Sequence, residues 1–116
     1  LGAVSSDVDQ TIEYLISRVE RSDATFIRNG QSHNGIEAAE HLRSKYNYFK
    51  SRIDTPEDFI RLAGSKSELS GRPYQVKTGD GRLFTSAEWL SGMLAEYREA
   101  HPGTHSLPNR APPSRS

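Results

Sequence analysis

The sequence has no cysteine in 116 residues, a single methionine, a single tryptophan, and no apolar run longer than a few residues. The missing cysteines exclude disulfides, thiolate nucleophiles and cysteine-based metal sites. They are neutral on compartment, because both the cytosol and a bridge-free envelope protein suit such a chain. Without an apolar stretch of about 20 residues there is no membrane-spanning helix.

An excess of either charge is also missing, with 15 Lys and Arg against 15 Asp and Glu. Residues 1–100 carry 13 basic and 15 acidic side chains, and Arg110 and Arg115 restore neutrality. No basic cluster is interleaved with aromatic residues, so the electrostatic footprint of a nucleic-acid binder is absent. Leu, Ile, Val and Phe number only 23, a composition close to that of disordered chains. Zero net charge and the periodic grouping of these residues argue instead for one small folded domain.

What is present reads as helices. Val8, Ile12, Leu15, Ile16 and Val19 form an apolar stripe of about four turns, capped by Ser5, Ser6 or Asp7 and ending near Ser22-Asp23. Asn34 caps a second helix whose buried face is Ala38, Ala39, Leu42, Tyr46, Phe49 and Ile53. Glu37, His41 and Lys45 recur every four residues beside that face as a polar ridge. In "DTPEDFI" Thr55 is the N-cap, Pro56 the first helical residue and Asp58 the partner in a capping box, with Gly64 as the stop.

Two short extended runs, "PYQV" and "RLF", flank Thr78-Gly79-Asp80-Gly81, which predicts a β-hairpin over 73–85. Thr85 and Glu88 open a last helix with Trp89, Leu90, Met93, Leu94 and Tyr97 inward. The expected fold is mainly α: a four-helix domain over 6–100 with one β-hairpin before the last helix. Residues 1–5 read as the remnant of a processed leader. Four of the six prolines fall in 101–116, read as a disordered tail.

Chemistry is harder to find. His33, His41, His101 and His105 are scattered, and no paired-histidine helix face provides a zinc ligand set. His33, Glu37 and His41 would converge only if the second helix began early, and Asn34-Gly35 is expected to break that geometry. No cofactor motif is present; the glycines of "TGDG" precede a strand rather than a helix and so do not cradle phosphate. Ser65, Ser67 and Ser70 lie beside Lys66 in one loop, but no nucleophile elbow or Ser-x-x-Lys helix start accompanies them.

The remaining stretch is "TFIRNGQSHNG", residues 25–35. Asn29-Gly30 suits a tight turn with positive φ, with Phe26 and Ile27 as core anchors and Arg28 pairing with a carboxylate or with helix-end carbonyls. Two readings stand side by side: a turn that the fold needs, or a surface with Arg28, Asn29, His41 and Lys45 for an anionic or polar partner.

"FIRNG" (26–30), "EAAEHLRSKY" (37–46), "DFI" (58–60), "SELSGRPYQV" (67–76) and "WLSGMLAEYR" (89–98) together resemble a family of small exported bacterial proteins classed as a domain of unknown function. The resemblance covers about residues 10–98 and departs at Ala24, where the family often has cysteine, which removes support for a redox or lipid-linked role. It implies a periplasmic or envelope location and singles out Arg28, Asn29, Gly30, His41, Lys45, Ser67, Ser70, Gly71 and Tyr74. The resulting expectation is a non-enzymatic binding protein, with an inhibitor-like or chaperone-like role among its forms. Its candidate surface is Arg28, Asn29, His41, Lys45, Ser67, Ser70 and Tyr74, and its partner another envelope protein or an anionic envelope ligand. The alternative is a small cell-envelope hydrolase or transferase with Ser67 or Ser70 as nucleophile and His41 or Lys45 as base. A third reading has the polar motifs only buttressing loops.

Overall fold

The computed structural model describes residues 6–67 and 70–101. The leader read over 1–5, the tail beyond His101, and Glu68 and Leu69 lie outside those residues. The chain runs α1 (Ser6–Arg21), β1 (Thr25–Arg28), β2 (Gln31–His33), α2 (Gly35–Phe49), a 3₁₀ turn (Lys50–Arg52), α3 (Pro56–Ala63), β3 (Gln75–Lys77), β4 (Leu83–Thr85) and α4 (Ser86–Ala100). It is a mainly helical domain of four α-helices with a β-hairpin before the last.

The helices follow from their stripes and caps. In α1 the stripe of Ile12, Leu15, Ile16 and Val19 is at most 1% exposed; fully burying each such side chain contributes roughly 1.5–3 kcal/mol. Asp7 and Asp9 at its start and Arg18 and Arg21 at its end complement the helix dipole. Capping boxes at Asn34/Glu37, Thr55/Asp58 and Thr85/Glu88 open α2, α3 and α4. Tyr46 of α2 donates to Asp9 of α1 at 2.7 Å. A bidentate Arg98–Glu57 pair ties α4 to α3. Gly35 starts α2 where it meets the end of α1: a Cβ there would lie 2.4 Å from the Val19 carbonyl oxygen.

The β-structure exceeds the one expected hairpin. Asn29 (φ 53°) and Gly30 (φ 79°) both occupy the left-handed region, the signature of a type I′ two-residue turn. The "RNG" stretch therefore closes a second hairpin, β1–β2, in which Phe26 faces His33 and Arg28 faces Gln31. β1 also pairs antiparallel with β3, giving one four-stranded sheet in the order β2-β1-β3-β4. Alternation along β1 sends Phe26 and Arg28 to one face and Ile27 to the other. Phe26 is 9% exposed and packs edge-to-face on Trp89 of α4. Ile27, expected as a core anchor, is only half-buried on the opposite face.

Candidate functional site

The sheet face carrying Phe26 and Arg28 lies against α2, and the polar ridge of α2 meets it there. Among the described residues Arg28 finds neither a carboxylate nor a helix-end carbonyl. Its Nη1 donates to Nδ1 of His41 at 2.5 Å. A guanidinium only donates, so Nδ1 must be a bare acceptor and the His41 proton sits on Nε2. Nε2 in turn lies 3.0 Å from the Tyr74 hydroxyl, as its donor. Lys45 Nζ donates to the same hydroxyl at 3.3 Å and to the Lys66 carbonyl at 3.2 Å. His41 and Tyr74 stand edge-to-face, and the Lys45 ammonium also lies over the Tyr74 ring.

This arrangement keeps His41 neutral. Burial first, then the charges of Arg28, Lys45 and His33, push its pKa down from 6.5 to about 4. Arg28 has no carboxylate within ion-pair distance among the described residues. Two cationic side chains thus converge on a neutral imidazole and a phenol.

Tyr74 is placed by the loop before it. Gly71 (φ 71°) turns the chain, Lys66 bridges Pro73, and the Tyr74 N–H donates to the Ser65 carbonyl at 2.9 Å. Ser67, 5% exposed, receives Asn29 Nδ2 at 3.3 Å and the Ser70 N–H at 3.3 Å. Ser70 Oγ donates to Asn29 Oδ1 at 2.6 Å and receives the Arg72 N–H at 3.2 Å. The β1–β2 turn and the 65–74 loop are therefore clamped together through Asn29.

All seven residues of the candidate surface gather in one region, in two connected sets. Arg28, His41, Lys45 and Tyr74 form a hydrogen-bonded chain; Asn29, Ser67 and Ser70 form the clamp beside it. Among the described residues neither the Ser65 nor the Ser70 hydroxyl donates to His41 or Lys45, the pairing that acyl transfer requires. Both His41 nitrogens are committed to Arg28 and Tyr74, Lys45 reaches Tyr74 and a backbone carbonyl, and Ser65 Oγ donates to the Ile60 carbonyl at 2.7 Å.

Between the sheet face and α2 lies a cleft bordered by Arg28, His33, Glu37, His41 and Tyr74, with Val19, Phe26, Ala38 and Leu42 as its apolar wall. About 40 Å³ is open to the centre of a water-sized group; one water needs ~10–15 Å³ by that measure. The cleft admits one end group rather than a whole metabolite. Ile27, Gln75 and Ser86 complete its lining.

His33 and Glu37 do reach His41's neighbourhood, contrary to the expectation that Asn34-Gly35 separates them. The route is not a longer helix. β2 pairs with β1 and carries His33 onto the same face as Phe26, where its Nδ1 lies 3.4 Å from Glu37 Oε1. His33 Nε2 is covered and has no hydrogen-bond partner, a penalty of ~1–3 kcal/mol for an unmade bond. Among the described residues no three His, Asp or Glu side chains are arranged to hold a metal ion. His33, Glu37, Gln75 and Ser86 are polar cleft residues outside the candidate surface expected from the sequence. For His33 the Asn-Gly pair was the available signal, since a two-residue turn fixes which residues face each other across the hairpin.

Comparison with known proteins agrees with the motif pattern. The family model described as "Family of unknown function (DUF5329)" matches residues 6–98, and the chain belongs to that family. It is 45% identical over 60 residues to "Uncharacterized protein YfeK" of Salmonella typhimurium (strain LT2), which covers 52% of this chain. The chain spans about half the length of that curated relative, 50% of which is matched. No solved structure matches.

Proposed function

We propose that this member of a family of unknown function is a binding module of the bacterial periplasm or envelope that captures an anionic or strongly polar group of a partner. The observation that carries this reading is Arg28, a half-buried guanidinium that borders an apolar-walled cleft and rests on a neutral imidazole. Among the described residues Arg28 has no carboxylate partner, which would satisfy a guanidinium better than an imidazole does. A ligand anion supplies what the cleft omits. Asn29, Ser67 and Ser70 hold the surrounding loops in register, so they shape the site rather than contact the ligand. The compartment rests on the resemblance of the motif set to exported proteins.

Two experiments test the reading. Immobilised wild-type protein is expected to retain an envelope component that the Arg28→Gln variant, equally folded by circular dichroism, does not; identical retention contradicts it. Fractionation of cells carrying the full-length gene is expected to recover the protein with periplasm or envelope, and recovery only with cytosol contradicts the compartment.

A further inference from the structure

We infer that the occupant of the cleft is the C-terminal residue of a polypeptide: a carboxylate held by Arg28 and the Tyr74 hydroxyl, with a short apolar side chain against the wall formed by Val19, Phe26, Ala38 and Leu42. This rests on the binding reading above and names its ligand.

The direction of each hydrogen bond leads to the carboxylate. Arg28 donates only, and one of its five N–H groups is spent on His41. His41 has no capacity left, because Nδ1 accepts from Arg28 and Nε2–H donates to Tyr74. The Tyr74 oxygen already receives two donors, His41 Nε2–H and Lys45. Its own hydrogen must therefore point elsewhere, and Tyr74 lines the cleft. A guanidinium and a phenol O–H offer donors alone, and the group that satisfies them is one that only accepts. Glu37 is the acid on the cleft, and it is turned to the Asn34 N–H and to His33.

Among acceptor-only groups the lining selects a carboxylate with an apolar substituent. Its planar pair of oxygens matches the guanidinium fork. An inorganic phosphate would bring more charge and more lone pairs than two donors and an aliphatic wall can satisfy. The space open to the centre of a water-sized group, about 40 Å³, is about three times what one water needs, which suits a small end group and not a long acyl chain. The sheet also leaves room for the rest of a peptide. Among the described residues β2 is the outer strand, with Gln31 and Ser32 exposed, so an extended segment leaving the cleft meets an edge that no described strand pairs.

The test is an NMR titration of ¹⁵N-labelled full chain with N-acetyl-leucine, N-acetyl-leucine amide and inorganic phosphate. Expected is saturable displacement of the Arg28, His41 and Tyr74 signals by N-acetyl-leucine, with the neutral amide and phosphate at least about tenfold weaker. Tyr74→Phe keeps the ring against His41 and removes only the hydroxyl; it is expected to weaken N-acetyl-leucine about tenfold and leave the amide unchanged. Equal binding of acid and amide overturns the inference, as does tighter binding of phosphate, or no saturable response to N-acetyl-leucine. The acid–amide comparison on wild-type protein stands whether or not the variant folds. If N-acetyl-leucine fails while Arg28→Gln still loses its retained envelope component, the ligand assignment falls and the binding reading survives. If Arg28→Gln retains that component, the binding reading itself falls.

Discussion

Arg28 donates to His41 Nδ1 at 2.5 Å, and that bond fixes both the tautomer and the charge of the imidazole. Protonating Nδ1 would set N–H against N–H and release the guanidinium. His41, lowered from 6.5 to about 4 by burial and then by the Arg28, Lys45 and His33 charges, is therefore a pH-sensitive element of stability.

The sign follows from proton counting. Between about pH 4 and 6.5 the unfolded chain protonates this histidine and the folded chain does not, so stability falls as pH drops through that window. Discounted for the ring's partial exposure, the loss is about 1–2 kcal/mol. Asp58 and Asp80, whose carboxyls are lowered below 3.8 by N–H and hydroxyl donors, act only at still lower pH. Urea unfolding from neutral pH down to about pH 4.5 is expected to show the drop in wild type and a flatter profile in His41→Gln. Equal slopes in the two proteins would remove His41 as the cause.

Asn29 both adopts a left-handed backbone (φ 53°) and clamps the turn to Ser67 and Ser70. Asn29→Ala loses both roles and is expected to cost about 1–2 kcal/mol. Asn29→Gly regains the backbone conformation without the bonds, so it should fall between Ala and wild type. If Gly proves as costly as Ala, the turn conformation contributes nothing and the bonds account for the whole loss.

Gly35 is demanded by contact rather than by conformation. A Cβ would lie 2.4 Å from the Val19 carbonyl oxygen and 3.0 Å from those of Glu20 and Ser22, all backbone atoms at the end of α1. Gly35→Ala is expected to destabilise by about 3 kcal/mol through overpacking, despite alanine's better helix propensity. A melting temperature equal to wild type would show that α1 and α2 can slide apart there without penalty.

The helices were legible because each carries redundant local signals: a four-turn stripe in α1, and capping boxes at Asn34, Thr55 and Thr85. The β1–β2 hairpin was less so. β2 is Gln-Ser-His, with no apolar residue to alternate, and β1 contributes Phe26 alone to the core. Pairing with β3, nearly fifty residues on, stabilises what local sequence could not announce. The candidate residues could be listed from the sequence, but their arrangement could not. Spacing put Glu37, His41 and Lys45 on one ridge, whereas Arg28's contact with His41 depends on how the sheet docks on α2. His33 went unselected because only strand register brings it there.

The central claim is that Arg28 is kept for a ligand and not for the fold. It adds a cation to a cluster already containing Lys45, and it has no carboxylate among the described residues to offset burial. Residues selected for binding are commonly neutral or unfavourable for stability. The unfolding free energy of Arg28→Gln in urea at neutral pH tests this most directly. Expected is a value equal to or above wild type, within about 0.5 kcal/mol on the low side. A loss of about 2 kcal/mol or more would mark the Arg28–His41 bond as a structural brace and contradict the claim.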